Sequence, residues 1–284
     1  MAVGLVLVAL ALAAFYLAPV VIRGYHFAIG ADAPVYTWWT RLAGHDGLSA
    51  IAARPGVPTL ALMIGGTLNL STTEAVEAIG VALPVATGLA ACGLAVLAAA
   101  GASGTRLGAA WPLAGLFAGW YAANLANGYL ASLAVAALFL AALAAVAARR
   151  PIPAAILLAA AALCHAAFAV QGGVVLLTGV AWHAWANRRA GDRDPFARTA
   201  LGALAGGAAV AGVGFLTLIA WGPDPITNAD TSKDAFLRRA GLTERLHALY
   251  RDRLGSNWKR SLPFLYAPLA AMGAVTERDT KGGA

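Results

Sequence analysis

Apolar runs about 20 residues long recur from one end of this chain to the other, and they constrain its fold more than any other feature. At 1.5 Å of rise per helical residue, each can cross a hydrocarbon core roughly 30 Å thick. Barrel strands would alternate polar and apolar residues over about ten positions, and these runs do not. They bring the hydrophobic share to 60% and leave 12% charged, with a mean hydropathy of +0.72. A soluble domain cannot bury that much apolar surface. The expected fold is therefore all-α: a polytopic transmembrane helical bundle of about eight spans, with short hairpin limbs and interfacial helices, forming a single domain over residues 1–284.

The first run, residues 2–22, has no basic segment before it and no convincing cleavage site, so it reads as a span rather than a leader. A first external loop, residues 23–73, follows. Its apolar stretch 56–70 is short for a crossing and reads as an interfacial or re-entrant helix. Ser71-Thr72-Thr73-Glu74 has the form of a capping sequence that opens the next span, residues 75–100. Residues 109–146 are too long for one helix and are interrupted by Asn124-Leu125-Ala126-Asn127-Gly128, which predicts a hairpin of two spans. Residues 152–185 predict a second hairpin with shorter limbs, turning at His165 or at Gly172-Gly173.

Residues 201–221 are a further span whose Gly206, Gly207, Gly212 and Gly214 suit close helix packing. A second external loop, residues 222–261, comes next. In it Leu246, Leu249, Tyr250 and Leu254 share one face of an amphipathic helix, with Gly255 as its stop. A last apolar run covers 262–275.

The net charge of +7 sits on short connections. In this setting it points to lipid headgroups and topology control, and nucleic acid is not an expected partner. Two hairpins return to their own side, so Arg106, Arg149, Arg150, Arg188, Arg189, Arg193 and Arg198 share one face, cytoplasmic by the positive-inside rule. The eight Lys and Arg of the second loop, from Lys233 to Arg260, pull the other way, and charge alone leaves the orientation open. Cys92 and Cys164 lie inside apolar stretches, where they read as small packing residues and not as a disulfide or a metal cluster.

The richest segment chemically is Asp32-Ala33-Pro34-Val35-Tyr36-Thr37-Trp38-Trp39-Thr40-Arg41-Leu42, just after the first span. Asp32 can serve as a general base, and Arg41 can hold a phosphate with its planar fork. The same residues also read as a helix cap before Ala33-Pro34 and an interfacial aromatic belt. His26, Asp32, His45 and Asp46 lack the tight spacing of a metal site, so no cofactor is expected, although a divalent ion is compatible with the chemistry. His165 and Gln171 stand out as polar residues within apolar runs.

An N-terminal span, Asp32 in the first external loop, the Trp38-Trp39-Thr40-Arg41-Leu42 continuation, and the Arg54-Pro55-Gly56-Val57-Pro58 entry to a short helix are followed by paired short hydrophobic helices. This pattern resembles the GT-C superfamily of integral-membrane glycosyltransferases, of the polyprenyl-phosphate-sugar-dependent type. Asn127-Gly128-Tyr129-Leu130 and His165 also resemble residues at hairpin tips of such proteins. The resemblance implies a multi-pass protein of a bacterial inner or plasma membrane that moves a sugar from a polyprenyl-phosphate donor to an acceptor hydroxyl on the extracytoplasmic side, with inversion. It implies Asp32 as catalytic base, and Arg41, Arg54 and His26 at the phosphate. Trp38, Trp39, Tyr36 and His165 would complete the substrate site. The chain departs from many members in having Ala33 where a second acidic residue follows, and in having fewer spans.

Two rivals remain on residues alone: a transporter or flippase subunit, and a non-catalytic membrane assembly partner. Hydrophobic hairpins with scattered Gly and Pro suit the first, and Ala/Gly-rich faces suit the second. The partners implied are a lipid-linked sugar donor, membrane lipids and another membrane protein.

Overall fold

The structure is a computed structural model that describes residues 1–24, 32–51, 54–99, 111–126, 129–186 and 195–220. His26, the predicted amphipathic helix at 243–255 and the last apolar run lie outside the described residues. Among the described residues all regular structure is helical: α1 (Ala2–Arg23), α2 (Ala33–Asp46), a 3-10 turn (Leu48–Ile51), α3 (Gly56–Leu68), α4 (Thr72–Ala99), α5 (Trp111–Ala126), α6 (Leu130–Ala147), α7 (Pro151–Cys164), α8 (Ala166–Ala186) and α9 (Pro195–Ala220).

Five of these, α1, α4, α6, α8 and α9, are long and apolar enough to cross a bilayer. The expected count of about eight is not reached among the described residues, where α5 has 16 residues and α7 has 14, and the last expected crossing lies outside them. The long run at 109–146 divides into α5 and α6, as the predicted first hairpin requires; Asn124 falls inside α5, and Asn127 and Gly128 lie outside the described residues. The second breaks at His165, whose extended backbone (φ −162°, ψ 96°) separates α7 from α8. The alternative break, Gly172-Gly173, lies inside α8, where Gly172 meets the Phe139 ring and Gly173 faces Leu204.

Small residues set the helix spacing at two seams. Along α1, α4 and α5, a Cβ at Gly88 would stand 2.8 Å from the Gly115 carbonyl oxygen, and a Cβ at Gly119 2.9 Å from that of Pro84. The backbones of α4 and α5 touch, and Leu12 of α1 caps the contact. Along α7 and α9, Gly206 and Gly207 pack on Ala155 and Leu158, and Gly214 reaches Leu163, so these two helices run parallel. Gly212 has no such neighbour, which corrects the expectation that all four glycines of this run serve packing.

Chain direction follows from these registers. Gly4 lies beside Trp111 while Leu12 lies beside Gly119, so α1 and α5 run the same way and α4 runs against them. Arg149, Arg150 and Arg198 accordingly gather at one end, and α2 and α3 at the other.

The tight α3–α4 corner fixes the α2–α3 end. Asn69 takes the left-handed conformation (φ 53°) that asparagine tolerates better than most residues, and Leu70 N–H bonds back to the Gly65 carbonyl at 3.0 Å. A capping box follows at once: Glu74 Oε2 accepts from Ser71 N–H at 2.8 Å, and Ser71 Oγ accepts from Glu74 N–H at 3.3 Å. The capping role read from Ser71 and Glu74 is thus made. One apolar cluster then binds α2, α3, α4, α6 and α7 together through Tyr36, Trp39, Val57, Ile79, Leu133 and Cys164.

Candidate functional site

Residues from three places in the chain converge at the α2–α3 end. Asp32 precedes the first turn of α2, Arg54 precedes α3, and Cys164 with His165 forms the break between α7 and α8. Helix α2 starts here because Pro34 falls in its first turn, where a missing N–H costs nothing. Its buried stripe, Ala33, Tyr36, Trp39, Thr40 and Ala43, has helical spacing and faces the core. Thr40 is the buried polar member and donates to the Tyr36 carbonyl at 2.7 Å.

Asp32 occupies the N-cap position without capping. Its carbonyl accepts from Tyr36 N–H at 2.9 Å, but its carboxylate bonds to no backbone amide of α2. The capping interpretation of this residue is therefore not realised, and the carboxylate is left for other use. Burial raises its pKa above the ordinary carboxylate value, outweighing the opposite pull of the Arg54 guanidinium.

Tyr36 is 1% exposed, and its Oη has no hydrogen-bond partner. Its ring meets Trp39 edge-on, with centroids 5.1 Å apart at 80°. The Arg54 guanidinium carbon lies 5.9 Å from the centroid of the same Trp39 ring. Burial pushes the Tyr36 hydroxyl up to about 12, against the pull of the nearby Arg54 cation and with a smaller push from Asp32. The arginine is thus near enough to act on the hydroxyl, though the two lack the geometry of a hydrogen bond. The phenol stays protonated at neutral pH and remains a donor.

The floor of the cluster is backbone. A Cβ at Gly56 would stand 2.8 Å from Cys164 N and 2.9 Å from Cys164 Cα, so glycine lets the start of α3 press onto the end of α7. His165, 8% exposed, continues from there; its Nδ1 accepts from Phe168 N–H at 3.4 Å and its ring packs on Phe168 with centroids 4.4 Å apart. Both cysteines are free and buried, as their apolar setting predicts.

Of the residues singled out from the sequence, Asp32, Tyr36, Trp39 and Arg54 come together, with His165 at the border. Trp38 is 50% exposed, and Arg41 also lies on the exposed side of α2, away from the buried stripe. His45 Nδ1 and Asp46 Oδ1 are 2.6 Å apart at the exposed end of α2. No group of three metal-ligating side chains forms among the described residues. Sequence reasoning missed two features. Gly56 as a contact point was foreshadowed by its place after Arg54-Pro55. Glu77, whose Oε1 is buried without a partner, was signalled only by being one turn beyond Glu74 in an apolar run. Comparison of the chain with family models, with curated proteins and with solved structures returns no match.

Proposed function

We propose that the chain is a GT-C-like membrane glycosyltransferase moving a sugar from a polyprenyl-phosphate donor to an acceptor hydroxyl on the extracytoplasmic side. The observation that carries this reading is the Asp32 carboxylate: partly buried, beside Arg54, at one end of an apolar bundle, and not engaged in capping its own helix. A carboxylate made more basic by burial is suited to accept a proton. In the reaction, the acceptor O–H gives its proton to Asp32 while its oxygen forms a bond to the sugar's anomeric carbon. The bond from that carbon to the phosphate oxygen breaks, the polyprenyl phosphate leaves with the electron pair, and the anomeric centre inverts.

Arg54 offsets the charge that develops on the departing phosphate. Trp39 borders the sugar, and Trp38, on the exposed side of α2, anchors the segment at the headgroup level. Helices α1 and α4 to α9 run between the two ends of the bundle, and with the apolar run at 262–275 they would make the eight crossings of a multi-pass bacterial inner-membrane protein. The arginine-bearing end then faces the cytoplasm.

One observation favours the transporter reading instead: His165 interrupts an apolar hairpin with extended backbone, as the broken helices of transporters do. Two measurements separate the readings. Purified protein given a labelled polyprenyl-phosphate sugar should turn over, and Asp32→Asn should abolish transfer; a wild type inert towards every donor would remove the enzyme reading. Single-cysteine probes, in a background lacking Cys92 and Cys164, should label from outside intact cells at residue 32 and not at residue 149. The reverse pattern would put the site on the wrong side for such a donor.

A further inference from the structure

The corner between α6 and α7, at the end of the bundle opposite Asp32, departs from its own turn chemistry twice. Arg149 N–H bonds to the Val146 carbonyl at 2.9 Å and Arg150 N–H to the Ala145 carbonyl at 2.8 Å, the paired bonds of a Schellman motif. That motif favours glycine at its left-handed position and an apolar residue just after it. Here Arg149 holds the left-handed position (φ 58°) and Arg150 follows it. Both side chains are exposed. The carbonyls of Ala144, Ala145 and Val146 already accept backbone amides, so closing this helix end does not need a guanidinium.

The surroundings of the corner have the chemistry of a membrane surface. Ile152 and Ile156 are exposed one turn apart on α7, so the arginines stand at the head of an apolar strip. Gly206 beside Ala155 and Gly214 beside Leu163 hold α7 and α9 in register, which puts the exposed Arg198 at the level of the corner. The His183 and Phe196 rings meet with centroids 5.3 Å apart, joining the end of α8 to the start of α9. Beside His183, Trp182 and Trp185 are half-exposed, as tryptophans at the headgroup level are. Among the described residues the acidic side chains, Asp32, Asp46, Glu74 and Glu77, all belong to the opposite end. The connection 187–194 carries three arginines against two aspartates by sequence, so it does not reverse the sign.

We propose that Arg149, Arg150 and Arg198 form a docking surface for an anionic phospholipid, with the headgroup at the α6–α7 corner and an acyl chain along Ile152 and Ile156. Charge complementarity selects the lipid class, since guanidinium groups without a neighbouring carboxylate favour a headgroup of net negative charge. A topology signal alone does not explain Arg149, because an arginine at any exposed residue of the corner would supply it without the left-handed backbone. The surface lies away from Asp32 and does not depend on the glycosyltransferase reading.

The test is native mass spectrometry of the full chain in neutral detergent, titrated with phosphatidylglycerol or with phosphatidylcholine of the same acyl chains. Phosphatidylglycerol should bind at least about 10-fold more tightly. Arg149→Gly and Arg150→Gln should each weaken its binding about 5-fold, the effect expected of one cation at a headgroup, and leave phosphatidylcholine binding unchanged. Arg41→Gln, which removes an exposed charge at the other end of the bundle, should bind phosphatidylglycerol as wild type does. Without added lipid, Arg149→Gly should melt at or above the wild-type temperature, because glycine suits the φ of 58° better than arginine. Equal affinity of wild type for the two lipids, or phosphatidylglycerol affinity unchanged in both Arg149→Gly and Arg150→Gln, would overturn the surface. An equal loss in Arg41→Gln would assign the binding to net charge and overturn the corner as its place. A lower melting temperature for Arg149→Gly would show that the arginine serves the helix end, and would also overturn the proposal.

Discussion

The α1–α4–α5 seam and the α2–α3 end are both close-packed, yet they use their residues differently. At the seam, Gly88, Gly115 and Gly119 bring carbonyls and side chains within contact distance, and the buried residues of the local core, Val8, Leu12 and Cys92, are apolar or weakly polar. At the α2–α3 end, Asp32 is partly buried without a capping bond and Tyr36 is buried with a free hydroxyl. The first region has the economy expected of helices that must simply adhere in lipid, where backbone approach replaces the hydrophobic effect. The second tolerates polar groups that packing alone would have removed. Among the described residues the buried side-chain oxygens without a partner, Tyr36 Oη and Glu77 Oε1, lie on helices that begin at the α2–α3 end, and unsatisfied polar groups gathered in this way are the pattern expected of a functional site.

The comparison can be broken most sharply at the seam. Gly115→Val places branched carbons against Cys92 Sγ and the Gly88 carbonyl, and the carbonyl cannot withdraw without moving a helix. We expect a loss of about 3 kcal/mol in unfolding stability in detergent, read from denaturant titration. A loss under about 1 kcal/mol would mean the seam is looser than it looks.

At the site, Arg54 lowers the Asp32 pKa and burial raises it. A general base works only when ionised, so transfer should fall as pH drops through the Asp32 pKa, which lies above the ordinary carboxylate value. Arg54→Gln removes the lowering influence, so the acid limb of kcat/KM should move to higher pH. An acid limb that stays in place or moves down would show that Asp32 is not the titrating base.

Tyr36→Phe is the smallest expected effect on stability and the most diagnostic of the contrast. Because Oη has no partner, its removal should leave stability unchanged or raise it, by up to about 1 kcal/mol. Loss of more than about 1 kcal/mol would show that the hydroxyl is satisfied within the protein, and the contrast with the seam would disappear.

Much of this was legible in the sequence, and the reasons are physical. Period and length of apolar runs report helices directly, so α1 and α4 fall where their runs put them and the long run at 109–146 divides into α5 and α6. The capping box at Ser71 and Glu74 was readable because it is local, spanning three residues. Span count was less legible, because α5 and α7 are mostly apolar yet shorter than the runs that contain them.

The site divides in the same way. Tyr36, Trp39 and Asp32 were readable as one segment, but which tryptophan faces inward depends on where α2 meets its neighbours; it is Trp39 that is buried and Trp38 that is exposed. The approach of Cys164 to Gly56 joins residues more than a hundred positions apart. No local pattern carries a contact of that kind.

The central claim, that the α2–α3 end is built for chemistry and the seam for cohesion, rests most directly on Asp32. The decisive measurement is the initial rate of sugar transfer from a labelled polyprenyl-phosphate donor by purified wild type and Asp32→Asn, with unfolding stability measured on the same preparations. Since the Asp32 carboxylate makes no capping bond, the substitution should change stability by less than about 1 kcal/mol. As general base it should contribute roughly 10²- to 10⁴-fold in rate, so the account predicts that transfer is lost in a stably folded protein. A variant that keeps most of the wild-type rate, or one that loses rate only in step with stability, would contradict it.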